Sequence, residues 1–140
     1  MTVLSADDLN TFLERAFPEG GGPPFTITKV GENYAEAEMT PGPSNARPGG
    51  TVSGPTLMML ADSIMYAALL AQIGPVALAV TTSLTINFLR KPELADLRVE
   101  CRILKLGKAL AVGDVLIFSA GKADPVAQAS VTYSIPPRQT

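Results

Sequence analysis

The chain has 140 residues, 11 basic and 13 acidic side chains, a formal net charge of −2, one cysteine and no histidine. Scattered Lys and Arg offer no basic footprint for nucleic acid, a lone Cys101 permits no internal disulfide and fits a reducing cytoplasm, and the length sets a single domain over residues 1–140. Without an imidazole, Ser-His-Asp hydrolysis and histidine-carboxylate dyads are excluded for this chain acting alone, and too few ligands remain for a zinc site.

The N-terminal stretch MTVLSADDLNTFLERAF has early acids and no basic-then-apolar run, so neither a secretory nor a transit signal is expected. Ser5 is a candidate N-cap with acids behind it, and Leu9, Phe12, Leu13 and Phe17 share a stripe. This predicts a helix within residues 1–20, stopped by Pro18 and the glycines at 20 to 22. From Phe25 the period becomes two, through Phe25, Ile27 and Val30, then Tyr34, Ala35, Ala37 and Met39, with a hairpin turn near Gly31, Glu32 and Asn33. The Pro- and Gly-rich run from Thr40 to Gly54 is expected to lack regular structure.

Next comes the stretch that organises the chain, Arg47 to Ala71. Ser53 is positioned as an N-cap, Pro55 falls in the first turn, and Gln72, Gly74 and Pro75 end the run. Leu57, Met58, Met59, Leu60, Ile64, Met65, Tyr66, Leu69 and Leu70 are distributed around the whole helix, which predicts protein on all sides of it. A membrane span would dislike the internal Asp62, so a soluble core helix is expected. An ionised carboxylate away from water costs several kcal/mol unless something compensates it. Two readings of Asp62 stay open: a polar contact at a seam with a partner subunit, or a carboxylate beside a substrate pocket acting as base or nucleophile.

Residues 76–89 read as a long strand with Val80, Thr82, Leu84, Ile86 and Phe88 on one face and Thr81, Ser83, Thr85 and Asn87 on a polar one. Further strands follow over Leu97 to Leu106, with Val99, Cys101, Ile103 and Leu106 inward, over Ala111 to Ser119, and over Val126 to Ile135. Residues 136–140 read as a loose tail. The order is helix, strand pair, long helix, then antiparallel strands. That is an α+β class in which one antiparallel sheet curls round the long helix and leaves a flank and a sheet edge for a second copy to cover.

Across Phe25 to Ile135 this pattern resembles the hotdog fold, and within it the phenylacetate-degradation (PaaI-type) acyl-CoA thioesterases. The family's His-Gly-Gly triplet and helical Leu-Ala-Asp correspond to Ser53, Gly54, Pro55 and to Leu60, Ala61, Asp62; its Asn-x-x-Phe-Leu-Arg-Pro strand ending is similar to the run from Thr85 to Pro92. The resemblance implies that Asp62 attacks the thioester or activates water, that the Gly54 N–H polarises the carbonyl, and that Asn45 lies near the water. It implies further that Thr81 helps to place the nucleophile. Ser53 replaces the triplet histidine, and Pro55 removes a donor that a second glycine would keep. Met58, Met59, Met65 and Tyr66 are expected beside the acyl group, and Arg90 and Lys91, with Lys105 and Lys108, near the phosphates of coenzyme A.

The implied activity is hydrolysis of a small-to-medium or aromatic acyl-CoA by a homodimer or dimer of dimers, in the cytoplasm. No metal and no cofactor are expected beyond the coenzyme A of the substrate. The alternative from another class is a catalytically silent module that binds an acyl-CoA or a hydrophobic metabolite. A hotdog dehydratase is disfavoured by the missing histidine.

Overall fold

The computed structural model describes residues 2–16 and 23–137. Phe17, Pro18 and the glycines at 20 to 22, expected to finish and stop the first helix, lie outside them, as do residues 138–140 of the expected tail. Helix α1 (Ala6–Ala16) begins with a reciprocal cap: the Asp8 N–H donates to Ser5 Oγ at 3.1 Å and the Ser5 N–H to Asp8 Oδ2 at 3.0 Å. These Ser5 donors, backbone first, hold the exposed Asp8 carboxyl below its ordinary range. Leu9 and Leu13 are buried and Phe12 is half-buried.

Strands β1 (Phe25–Gly31) and β2 (Tyr34–Met39) form the expected hairpin, with Asn33 in the left-handed region at φ 55°. The run from 40 to 54 is more ordered than its composition suggested. A 3-10 turn at Pro43–Asn45 leads into a small hairpin of β3 (Ala46–Arg47) and β4 (Thr51–Val52), turned by Gly49 and Gly50 at φ 102° and 80°. Glycine enters that region without steric cost, so the residues that signalled a break make the turn instead.

Helix α2 (Gly54–Ile73) follows, capped by Ser53 and closed by Gly74 at φ 97°. Then come β5 (Val80–Phe88), β6 (Leu97–Leu106), β7 (Leu110–Ser119) and β8 (Ala127–Ser134). The main sheet is antiparallel with strand order β1-β2-β6-β7-β8-β5. All six of its strands touch α2. This is the hotdog arrangement, an α+β fold with the sheet wrapped round a central helix.

By length and composition α2 could cross a membrane, yet the sheet wraps it: Leu57, Leu60, Ile64, Met65, Leu69 and Leu70 are each at most 1% exposed. Truncating such a residue loses transfer free energy and leaves a cavity the packed sheet cannot fully close. Leu60→Ala is therefore expected to lower stability by about 2–5 kcal/mol, read as an earlier urea midpoint at fixed protein concentration. One stripe of α2 escapes the sheet. Pro55, Met58, Met59, Asp62, Ser63 and Tyr66, at helical spacings of three and four, are exposed or half-buried.

Three strand registers differ from strict alternation, one of them in β1 between Ile27 and Lys29. In β5 the pairing with β8 slips between Thr81 and Ser83, so Thr81 opposes the inward Tyr133, while Leu84 and Ile86 oppose the inward Val131 and Ala129. Thr81 thus leaves the outer face expected for it, and Val80, expected inward, is 55% exposed. The extra residue of a bulge changes the phase of everything beyond it. Another slip, between Ile103 and Lys105, sets Leu106 opposite the inward Ala111, in the phase expected for it, yet at the end of β6 it is 39% exposed. Cys101 is buried as expected; burial, reinforced by the Asp114 carboxylate, pushes its thiol up to about 12.

The two edges of the sheet are treated differently. On β1 the Asn10 amide donates to the Ile27 carbonyl at 2.9 Å and accepts the Ile27 N–H at 2.8 Å, occupying groups that another strand would need. Strand β5 forms the opposite edge and pairs on one side only, with β8.

Candidate active site

Asp62 projects from the uncovered stripe of α2 toward β5 and β8. Thr81 Oγ1 donates to its Oδ1 at 2.5 Å. The Tyr133 hydroxyl lies 3.0 Å from the same oxygen and 3.2 Å from the Asp62 carbonyl oxygen, as a donor to both. Burial, together with the Asp62 charge, raises the Tyr133 phenol well above its ordinary range and outweighs the opposing Thr81 contact, so Tyr133 stays protonated at neutral pH. The Tyr66 ring stacks on Tyr133 with centroids 5.8 Å apart, its hydroxyl donates to the Ala77 carbonyl at 3.2 Å, and burial raises its phenol too.

These groups open onto a cleft of about 310 Å³, walled by Leu13, Phe25, Tyr66, Ala77 and Ala79 besides Asp62, Ser63 and Thr81. Asp62 is half-buried rather than enclosed. A carboxylate so held is fixed beside apolar walls and stays open to a reactant. Tyr133 was not singled out in the sequence. Its signal was there, because Ala127, Ala129 and Val131 fix the inward phase of β8 and Tyr133 is next in it; a phenol in that phase requires an acceptor.

A second cleft, of about 480 Å³, lies at the N-terminus of α2, between Arg47, Thr51, Val52, Gly54 and Leu57 on one side and Phe88 to Pro92 on the other. The hairpin holds it in place, with the Val52 N–H donating to the Pro92 carbonyl at 2.9 Å. A Cβ on Gly54 would stand 3.3 Å from the Phe88 ring, so the helix start rests closely on the end of β5.

The first turn of α2 is largely committed. The Thr56 N–H donates to Ser53 Oγ and the Leu57 N–H to the Ser53 carbonyl, each at 3.3 Å, while Pro55 has no donor. Among the described residues nothing accepts the Gly54 N–H, which leaves it free for a ligand at the positive end of the helix dipole. Asn45 is close by: its Nδ2 reaches Thr56 Oγ1 at 3.4 Å, its Oδ1 accepts the Gly42 N–H at 2.9 Å, and its carbonyl accepts the Ser53 N–H at 2.7 Å.

The candidate residues therefore fall into two groups. Asp62, Thr81 and Tyr66 meet in one cleft. Gly54, Asn45, Ser53, Arg90 and Lys91 gather at the other, where Arg90 is pinned by a 2.7 Å bond from Nη1 to the Pro125 carbonyl. Eight residues of helix separate Gly54 from Asp62, about 12 Å of rise, too far for both to touch one carbonyl. Met58 and Met59 lie on the uncovered stripe, but Met65 does not: it points into the sheet, where Cys101 Sγ lies 3.7 Å from its Sδ and Gly113 makes room for it. An all-round apolar helix gives no sign of which methionine faces a cleft. Lys105 and Lys108 sit at the β6–β7 turn, at the Val80 end of the sheet and away from Arg90 and Lys91. Among the described residues no three His, Cys, Asp or Glu side chains converge where a metal ion could bind.

Residues 49–126 match the model of the thioesterase superfamily. A candidate thioesterase from Silicibacter sp. TM1040 is 46% identical, with 98% of this chain and 95% of that one superposing at a TM-score of 0.88. Zebra fish thioesterase superfamily member 2 superposes at 0.83 with 18% identity over 95% and 99% of the two chains. A hypothetical thioesterase from Streptococcus pneumoniae superposes at 0.74 with 21% identity over 96% and 98%. No curated protein sequence matches the chain. The family match includes Gly54, Asp62, Thr81 and Arg90 but not Leu13, Phe25, Arg47 or Tyr133, and the chain belongs to the thioesterase superfamily as a thioester hydrolase of the hotdog fold.

Proposed function

We propose that the protein hydrolyses a small-to-medium or aromatic acyl-CoA of the PaaI type, in a site that two subunits complete. The observation that carries this reading is the half-buried Asp62 carboxylate, held by Thr81 at the mouth of an apolar cleft on an otherwise apolar helix. Asp62 acts as the base that takes a proton from water, or as the nucleophile itself. In the first route the water oxygen bonds to the thioester carbon, the carbonyl oxygen becomes an oxyanion, and the C–S bond then breaks to release the coenzyme A thiolate. The Gly54 N–H at the helix N-terminus supports the oxyanion, where a fixed donor outside bulk water counts most.

Symmetry supplies the missing proximity. Gly54 is seated on Phe88 and Asp62 on Thr81, residues near opposite ends of β5, whose outer edge is open. Antiparallel pairing of that edge with a second copy, about the middle of the strand, brings Phe88 of one subunit opposite Thr81 of the other and carries Gly54 toward the second Asp62. The same contact covers the stripe of Met58, Met59 and Tyr66. The acyl group then occupies the Asp62 cleft beside Phe25, Tyr66 and Leu13, and the phosphates lie by Arg47, Arg90 and Lys91. The apolar walls of that cleft, Leu13, Phe25, Ala77 and Ala79, suit an apolar acyl group. The coenzyme A complex of the S. pneumoniae neighbour and the acetyl-CoA complex of a Streptococcus mutans one support this ligand class.

The test is release of free thiol from acetyl-, hexanoyl-, benzoyl-, phenylacetyl- and palmitoyl-CoA. Turnover of the hexanoyl or aromatic members above palmitoyl-CoA is the expected result. Saturable binding of all of them without thiol release would point instead to a silent acyl-CoA module, with Pro55 and Ser53 as the altered positions.

A further inference from the structure

The two oxygens of Asp62 are not equivalent. Oδ1 receives both hydrogen bonds, from Thr81 at 2.5 Å and from Tyr133 at 3.0 Å, and Oδ2 receives none from any described residue. Tyr133 also reaches the Asp62 carbonyl oxygen, so a single hydroxyl bridges the main chain and the side chain of one residue and fixes the plane of the carboxylate between them. Its own position is set by β8, whose inward residues are locked into the core, and by the stack on Tyr66.

From this asymmetry we infer that Tyr133 is a positioning residue for the reaction, pairing with Thr81 to saturate Oδ1 so that Oδ2 is the oxygen that takes the proton from water or bonds to the acyl carbon. The inference rests on the reading of Asp62 as the reacting carboxylate. An oxygen with two donors has its electron density committed and is the weaker base; the unbonded one keeps its lone pairs for the reactant. The groups facing the carboxylate are Tyr133 from β8, Thr81 from β5, and Ser63 and Tyr66 from α2. None is cationic, and the two hydroxyls are the side-chain donors that the described residues give the carboxylate.

The experiment compares wild type with Tyr133→Phe, Thr81→Val, Thr81→Ser and Asp62→Asn, measuring kcat and KM for hexanoyl-CoA and benzoyl-CoA across the pH range, with thermal unfolding alongside. Tyr133→Phe is isosteric and keeps the stack on Tyr66. It is expected to lower kcat about three- to tenfold across the pH range and to leave KM within about twofold. Thr81→Val lowers kcat in the same way, and Thr81→Ser, which keeps the hydroxyl, restores it. Wild-type kcat in Tyr133→Phe, or a fall in kcat that comes with a raised KM and a reduced Tm, would overturn the inference while leaving Asp62 as the reacting group. Full turnover by Asp62→Asn would overturn both.

Discussion

Replacing Asp62 with Asn is expected to lower kcat on the preferred acyl-CoA by at least about a hundredfold, within the range that proton transfer by a positioned group contributes. The substitution is nearly isosteric. With the amide oxygen turned toward Thr81 and Tyr133, both existing donors keep an acceptor, and the NH2 group falls where Oδ2 stood. That group has no basic lone pair and cannot take a proton from water or attack a carbonyl. Because the remaining contacts survive, KM and the unfolding midpoint should stay close to wild type, the signature of an interaction made only in the transition state. Thiol release and circular dichroism on the same preparation decide it. Turnover by Asp62→Asn within a few-fold of wild type would remove Asp62 from the chemistry and return it to a polar contact on the uncovered stripe.

Much of what frames this carboxylate can be read along the chain, because it depends on residues close in sequence. The Ser53 cap, the early Pro55 and the Gly74 stop place α2 to within a residue, and the lone acid stands out against its apolar surroundings. Strand pairs announced by period-two alternation fall where expected for the same reason: a half-buried sheet needs its apolar side chains on one face.

What could not be read belongs to pairs of segments distant in sequence. The slip at Thr81 is a property of β5 and β8 together, and no local pattern in TTSLT reveals that Thr81 turns inward while Val80 turns out. Met65 and Met59 look alike in the sequence and differ only in which side of the helix the sheet leaves uncovered. Tyr133 lies 71 residues from its acceptor, and the bond appears once β8 is laid beside α2. Asn10, blocking the β1 edge, is a polar residue on a short helix until Ile27 is placed against it.

The second large effect is expected at Gly54. Gly54→Pro removes the one first-turn donor that no described residue uses, and the backbone is ready to accept it: Ser53 has φ −71° and ψ 151°, the extended conformation that a residue before proline prefers, and proline is favoured at the first helical position. Loss of a single oxyanion donor lowers kcat about a hundred- to a thousandfold. Any Cβ at this position meets the Phe88 ring, so Gly54→Ala is the matched control; it adds the same contact and keeps the N–H. Near-wild-type turnover by the proline variant would show that the carbonyl is polarised elsewhere.

The same variant reports on how the site is assembled. If Gly54 of one subunit serves Asp62 of the other, a mixed dimer of Gly54→Pro and Asp62→Asn subunits contains one site with both lesions and one with neither. Two inactive proteins, unfolded and refolded together in equal amounts, should then regain about a quarter of wild-type activity, since half of the dimers are mixed and each carries one intact site. A site built within one subunit predicts no recovery at all. The roughly 12 Å of helix between the two residues and the open edge of β5 lead to the first outcome. Recovery near a quarter would make the second subunit part of the catalytic machinery, with the open β5 edge as the contact that brings the two half-sites together.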